Sequence, residues 1–110
     1  MIAQLDESVP TRLGRALAAI GCRAIRFPNE WKGLKNGRLL NKLNESGIEC
    51  LVTCDRNLQY QQNLERYGIA LVVLPRQRFE DLLPLLGEIA SAIANIRPGQ
   101  VVVIADQGKV

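Results

Sequence analysis

Two aspartates stand where a chain of this kind can place chemistry. Asp6 follows the apolar run of residues 2–5, and Asp55 follows ECLVTC, residues 49–54. Both runs read as strands that end at an acid. In open parallel sheets, ligands bind outside the carboxyl ends of the strands. If the first and third strands lie side by side, the two carboxylates converge. Such a pair is costly unless a proton or cation neutralises it. Mg²⁺ or Mn²⁺ is the natural cation for oxygen ligands, and it could activate water for phosphodiester hydrolysis. The same residues also suit helix caps, because Asp6 precedes Ser8-Val9-Pro10 and Asp55 precedes a short helix. Glu7 is either a third ligand or a first-turn acid that favours the helix dipole.

A polar and basic set accompanies the acids. Lys32, Lys35 and Asn36 precede the second helix, and Arg56, Asn57, Gln59, Tyr60, Gln61, Gln62 and Asn63 follow the third strand. Amides with a few cations and one aromatic suit a phosphate backbone or a single-stranded base. They also suit a hydrogen-bonded loop. Trp31 either stacks on a ligand or covers the core beneath its loop. Arg12, Arg15, Arg23 and Arg26 give the first α/β unit a basic side, read as a solvated face.

The elements that must position these residues alternate. A first strand at residues 2–5 leads to a helix with Pro10 in its first turn and Leu13, Leu17 and Ile20 at helical spacing, closed by Gly21. Residues 22–27 read as an edge strand ended by Pro28. Asn36 can cap a helix carrying Leu39, Leu40 and Leu43, closed by Gly47. The third strand spans residues 49–54, and a short helix at 61–67 stops at Gly68. IALVVL, residues 69–74, is a strand buried on both faces. Residues 79–96 read as one long helix with Phe79, Leu82, Leu83, Leu86, Ile89, Ala90, Ile93 and Ile96 on its inner stripe and Leu85 off it, beside Pro84. A last strand covers residues 101–105, followed by a turn at Asp106-Gln107-Gly108. Five strands with intervening helices predict an α/β fold of three layers, a mostly parallel sheet with helices on both faces.

Bulk composition agrees with one soluble domain spanning 1–110. The chain has 110 residues, 47% hydrophobic and 23% charged, with a formal net charge of +3. No apolar run approaches the ~20 residues that span a bilayer, and the opening MIAQLDESVP has no signal-like core, so the expected location is cytoplasmic. Cys50 and Cys54 lie roughly 13 Å apart along one strand, beyond the ~7 Å a disulfide tolerates. With no histidine in the chain, a Cys/His zinc site is excluded, and the cysteines read as small buried hydrophobes. A Gly-rich phosphate loop is also missing, which places a nucleotide-binding regulator last.

The segments LDESVP (5–10) and TCDRNL (53–58) resemble the "LDEN-x-P" opening and the "T-x-D-x-D/N-F/L" segment of small bacterial PIN-like proteins. WKGLKNGRLL (31–40) and YQQNL (60–64) look like one branch of that group. The resemblance covers about residues 2–74. It implies the PIN fold and Mg²⁺- or Mn²⁺-dependent ribonuclease activity like that of VapC-type toxins. It carries Asp6 and Asp55 over as metal ligands, with Glu7 as a helper. It also implies an antitoxin partner.

Two departures stand out. Where relatives carry an acidic S-D-E-E segment, this chain reads Lys35-Asn36-Gly37-Arg38, and where they carry a second aspartate it has Asn57. Two carboxylates can hold one Mg²⁺ completed by waters and phosphates.

Two functions follow as expectations. The first is a metal-dependent ribonuclease acting on single-stranded RNA, with Lys35 or Arg56 steadying phosphate, Asn57 and Gln61 positioning substrate, and Lys32, Asn36 and Tyr60 as further substrate-binding residues. The second is a PIN-shaped module that binds RNA or a partner protein without cleaving. A homodimer through the long helix is a further expectation.

Overall fold

The computed structural model describes residues 2–34, 36–60 and 64–106. Strand β1 (Ala3–Leu5) leads through α1 (Arg12–Ala19) to β2 (Ala24–Ile25). After a 3-10 turn at Asn29–Trp31, α2 (Asn36–Glu45) precedes β3 (Cys50–Thr53). A second 3-10 turn (Arg56–Tyr60) and α3 (Leu64–Tyr67) connect to β4 (Ala70–Val73). Then come α4 (Phe79–Leu82), a 3-10 turn (Leu83–Leu85), α5 (Leu86–Asn95) and β5 (Val101–Val103).

The five strands form one parallel sheet in the order β2-β1-β3-β4-β5. Alternation along each strand sends residues to two faces. Cys50 and Val52 of β3 and Ala70 and Val72 of β4 enter one core with Leu13, Leu17, Leu82, Ile89 and Ile93. Leu51, Leu71 and Val73 enter the other with Leu39, Leu40, Leu43 and Leu64. The layers are therefore α1, α4 and α5 on one face and α2 and α3 on the other, which is the expected three-layer α/β fold.

Helix ends follow the glycines. Gly21 and Gly47 adopt φ of 85° and 72°, a region that costs glycine little. Each lets the next residue turn back, as in the 2.9 Å bonds from Cys22 N to Leu17 O and from Ile48 N to Leu43 O. Trp31 packs against the second core beside Phe27, in an edge-to-face contact with ring centroids 6.1 Å apart. It is a core cover.

Several expectations need correction. The stretch 79–96 is two helices joined by a 3-10 turn. Pro84 lacks the N–H an α-helix interior needs, and its ring clashes with the preceding turn. The tighter turn shifts the phase, so Leu85 is 3% exposed and Leu83 is 50% exposed, the reverse of the expected stripe. Leu85 is therefore not spare surface for a dimer. β2 holds two residues where six were expected, and Ile25 faces out at 41%. The short helix is described over Leu64–Tyr67, and residues 61–63 of the expected span lie outside the described residues, as do residues 107 and 108 of the expected final turn. Asn36 is the first residue of α2. Among the described residues no helix is long and apolar enough to cross a membrane.

The phase shift is testable in urea. Leu85→Ala should lower unfolding stability by about 2–5 kcal/mol, whereas Leu83→Ala should change it by less than about 0.5 kcal/mol. Equal losses would restore the continuous helix.

Candidate functional site

The order 2-1-3-4-5 puts the topological switch point between β1 and β3, where successive connections leave the sheet in opposite directions. The crevice for ligands in such sheets opens there, at the carboxyl ends. Asp6 directly follows β1, and Asp55 follows β3 by two residues. The pairing of Leu5 with Val52 sets the local register, and a 2.8 Å bond from Asp6 N to Val52 O extends it. By alternation, Asp6 and Thr53 then share one face of the sheet.

The side chains at this point form a compact network. Thr53 Oγ1 and Ser8 Oγ each donate to Asp6 Oδ2 at 2.8 Å. The Thr53 hydroxyl also accepts from Asp55 N at 3.0 Å, and the Ser8 hydroxyl accepts from Cys54 N at 3.0 Å. Each hydroxyl therefore ties the Asp6 carboxylate to the backbone that leaves β3. Thr53 is fully buried, and Asp6, Ser8 and Asp55 are half-buried. Among the described residues no donor meets Asp6 Oδ1, so the carboxylate is clamped through one oxygen.

The capping alternative divides between the two aspartates. Asp6 does not cap α1, whose N-cap is Thr11, five residues further on. Asp55 does act as a cap, since its Oδ1 accepts from Asn57 N at 2.9 Å and opens the 3-10 turn. Glu7 is not a first-turn acid, because the first turn of α1 holds none. Its Oε1 meets Gly33 N at 3.5 Å, a long contact that links it to the loop after β2.

Burial raises the Cys54 thiol to about 11, with the Ser8 hydrogen bond lowering it and the Asp6 charge adding to the rise. The Cys50 thiol is pushed up to about 12, chiefly by burial. Both remain protonated near neutral pH and serve as packing groups. All three cysteines are free.

Beside Asp6 lies a cleft of about 130 Å³ whose lining includes Asp6, Glu7, Arg26, Asn29 and Lys32. Water occupies about 30 Å³ per molecule, so the space suits a hydrated ion or one phosphate. It is well below the roughly 300–1,000 Å³ that encloses a small-molecule ligand. A chain-like substrate could lay one phosphate in it. Among the described residues, none of Asp6, Glu7, Arg26 and Lys32 belongs to an ion pair.

The expected residues thus fall into two groups. Asp6, Glu7 and Lys32 share the cleft. Arg56, Asn57 and Tyr60 lie on the 3-10 turn after β3, with Tyr60 74% exposed. Lys35 and Gln61 lie outside the described residues. Ser8 and Thr53 carry no expectation from the sequence, and Arg26 is expected only on a solvated basic side. The signal for Ser8 is its place in the polar turn after Asp6, where Val9 N bonds Asp6 O at 3.0 Å; Thr53 reaches Asp6 only through the pairing of β1 with β3.

Oxygen ligands for a cation are few. Among the described residues there is no group of three or more His, Cys, Asp or Glu side chains able to hold a metal ion. A two-metal centre does not fit. Mg²⁺ keeps several waters and takes one or two carboxylates together with substrate phosphates; of the two aspartates only Asp6 lines the cleft, and Asp55 is tied to it by its backbone N–H through the Thr53 hydroxyl.

No protein-family model matches the chain, and neither a curated protein nor a solved structure matches it. The PIN-like resemblance therefore rests on the motif residues themselves.

The clamp predicts a graded response. Thr53→Val removes a donor to Asp6 and the acceptor of Asp55 N, and should cost about 1–3 kcal/mol in urea unfolding. Thr53→Ser keeps the hydroxyl and should cost under about 1 kcal/mol. Equal losses would mean that the methyl, not the hydroxyl, matters.

Proposed function

We propose that this chain is a ribonuclease of the PIN-like type, acting on single-stranded RNA in the cytoplasm with one Mg²⁺ or Mn²⁺ ion. The observation that carries the reading is the state of Asp6. It sits at the switch point, serves no helix, is clamped through Oδ2 by two hydroxyls, and lines a phosphate-sized cleft that also holds Lys32.

In this reading Asp6 and Asp55 hold the cation, which would polarise the phosphodiester and supply activated water. Ser8 and Thr53 fix the Asp6 carboxylate, so little reorganisation is left for the reaction. Glu7 borders the same cleft and can orient a water. Lys32, with Lys35 and Arg56, offsets the charge of the phosphate. Asn36, Asn57 and Gln61 offer amides to the substrate, and Tyr60, with its ring mostly in solvent, offers a face on which a base can stack. As the toxin of a toxin–antitoxin pair, the chain would be held inactive by a protein covering this end of the sheet.

One observation favours a second reading, in which the same surface binds RNA or a protein without cleaving. Asp55 Oδ1 is committed to Asn57 N, which leaves that carboxylate half occupied, and no third acid joins the pair among the described residues.

Cleavage of a mixed single-stranded RNA pool with Mg²⁺ or Mn²⁺ separates the two. Asp6→Asn and Asp55→Asn each keep one carbonyl acceptor, which at position 6 takes the place of Oδ2, and should fold. Each should lower a metal-dependent rate by on the order of a hundredfold. No cleavage by folded wild type, at any Mn²⁺ concentration, would leave the binding reading.

A further inference from the structure

A second and larger cleft, of about 410 Å³, runs between α1 and the edge strand β2. Its floor is made of small residues. Gly14 lets α1 lie low on the sheet, where an added Cβ would stand 3.3 Å from Leu5 Cδ1 and 3.7 Å from Ala24 O. Ala18 and Ala24 continue that floor, and the rims carry Arg12, Arg15 and Arg26. Thr11 and Arg26 line both this cleft and the one that holds Asp6, so the two meet there. The fourth arginine of this unit, Arg23, lines a different pocket beside Cys22. The uniform basic side expected from the sequence is thus resolved into a groove and a separate charge.

The three rim arginines differ in availability. Arg12 is already engaged, 2.9 Å from Glu80 and 4.5 Å above the Phe79 ring centroid. Arg15 and Arg26 belong to no ion pair among the described residues. Arg26 is also anchored at its root. Gln4, 1% exposed, donates through Nε2 to Ile25 O and Arg26 O, both at 3.1 Å. A buried amide thereby holds the chain beyond β2 against β1, the strand that delivers Asp6.

We infer that this groove is the track for the RNA strand leading into the Asp6 cleft, with Arg15 and Arg26 contacting successive phosphates. The inference rests on the RNA reading above and extends it by naming where the backbone runs. From the N-cap Thr11 to Ala18 of α1 the lining rises by seven steps of about 1.5 Å, about 10 Å in all, a length that spans more than one phosphate. Small floor residues leave room for a sugar–phosphate chain, and the rims supply charge without base-specific groups, which positions a strand rather than reading its sequence.

The test is equilibrium binding of a fluorescently labelled single-stranded RNA to the full chain in EDTA, so that no cleavage enters. Arg15→Ala/Arg26→Ala should weaken binding roughly tenfold. It should also flatten the slope of log K against log salt by about 1.4, the loss of two single-strand phosphate contacts. The charge-matched pair Arg66→Ala/Arg97→Ala, on other parts of the surface, should leave both quantities near wild type. Equal weakening by the two pairs would overturn the groove in favour of general charge attraction. Unchanged binding by the first pair, or no binding by wild type, would also overturn it. A wild type that binds through Arg15 and Arg26 yet never cleaves with Mn²⁺ would keep the groove and remove the ribonuclease.

Discussion

Thr53 has no contact with solvent, and its hydroxyl is shared between a carboxylate on one strand and a backbone amide beyond the next. The two bonds, 2.8 Å to Asp6 and 3.0 Å to Asp55 N, close the gap where the connections of β1 and β3 diverge. A charged acceptor makes such a bond stronger than a neutral one, and burial makes its loss expensive. Ser8 repeats the arrangement from the other side by joining Asp6 to Cys54 N. The site depends on this pair of hydroxyls, since they fix which way Asp6 faces and where the 3-10 turn bearing Arg56, Asn57 and Tyr60 begins.

The sheet supplies the frame for that interaction. β1, β3 and β4 are buried; the alternating residues of β3 and β4 feed two separate cores, while β1 gives Ala3 and Leu5 to one core and turns the buried Gln4 amide to the other face. A slip of one residue between β1 and β3 would exchange their faces and pull Asp6 away from Thr53. Core packing and site geometry are therefore the same constraint. β2, by contrast, is short and exposed, and it keeps its place through the buried Gln4 amide as well as through the ladder. The charge that surrounds the site lies on the less enclosed elements, which the two cores hold in position.

Much of the element order was legible. Apolar runs closed by Asp6 and Asp55 and the run at residues 69–74 marked three strands, and Gly21, Gly47 and Gly68 marked helix ends, because those residues act locally on the backbone; β2 was legible only in place, since it holds two residues of the six read there. Strand order was not legible, since it depends on which face each helix covers. The hydroxyl clamp was hidden for a similar reason: Ser8 and Thr53 lie 45 residues apart and meet only once β1 and β3 pair. Pro84 was visible, yet the apolar stripe around it suggested an unbroken helix, and the 3-10 turn that exchanges Leu83 with Leu85 follows from backbone chemistry that a hydrophobic pattern does not carry. Asp6 and Asp55 looked alike in sequence. Only the position of the nearest backbone N–H separates them, since Asn57 N lies within reach of Asp55 and no helix starts within reach of Asp6.

In the proposed function the clamped Asp6 carboxylate and its neighbour Asp55 form a cation site at the switch point. Paramagnetic broadening of backbone amide signals during a Mn²⁺ titration tests it most directly. The account predicts that Asp6, Glu7, Ser8, Cys54 and Asp55 broaden first and together, and that Asp6→Asn abolishes the effect. Broadening centred on the acids of α2 or α4, or none at these five amides, would contradict it.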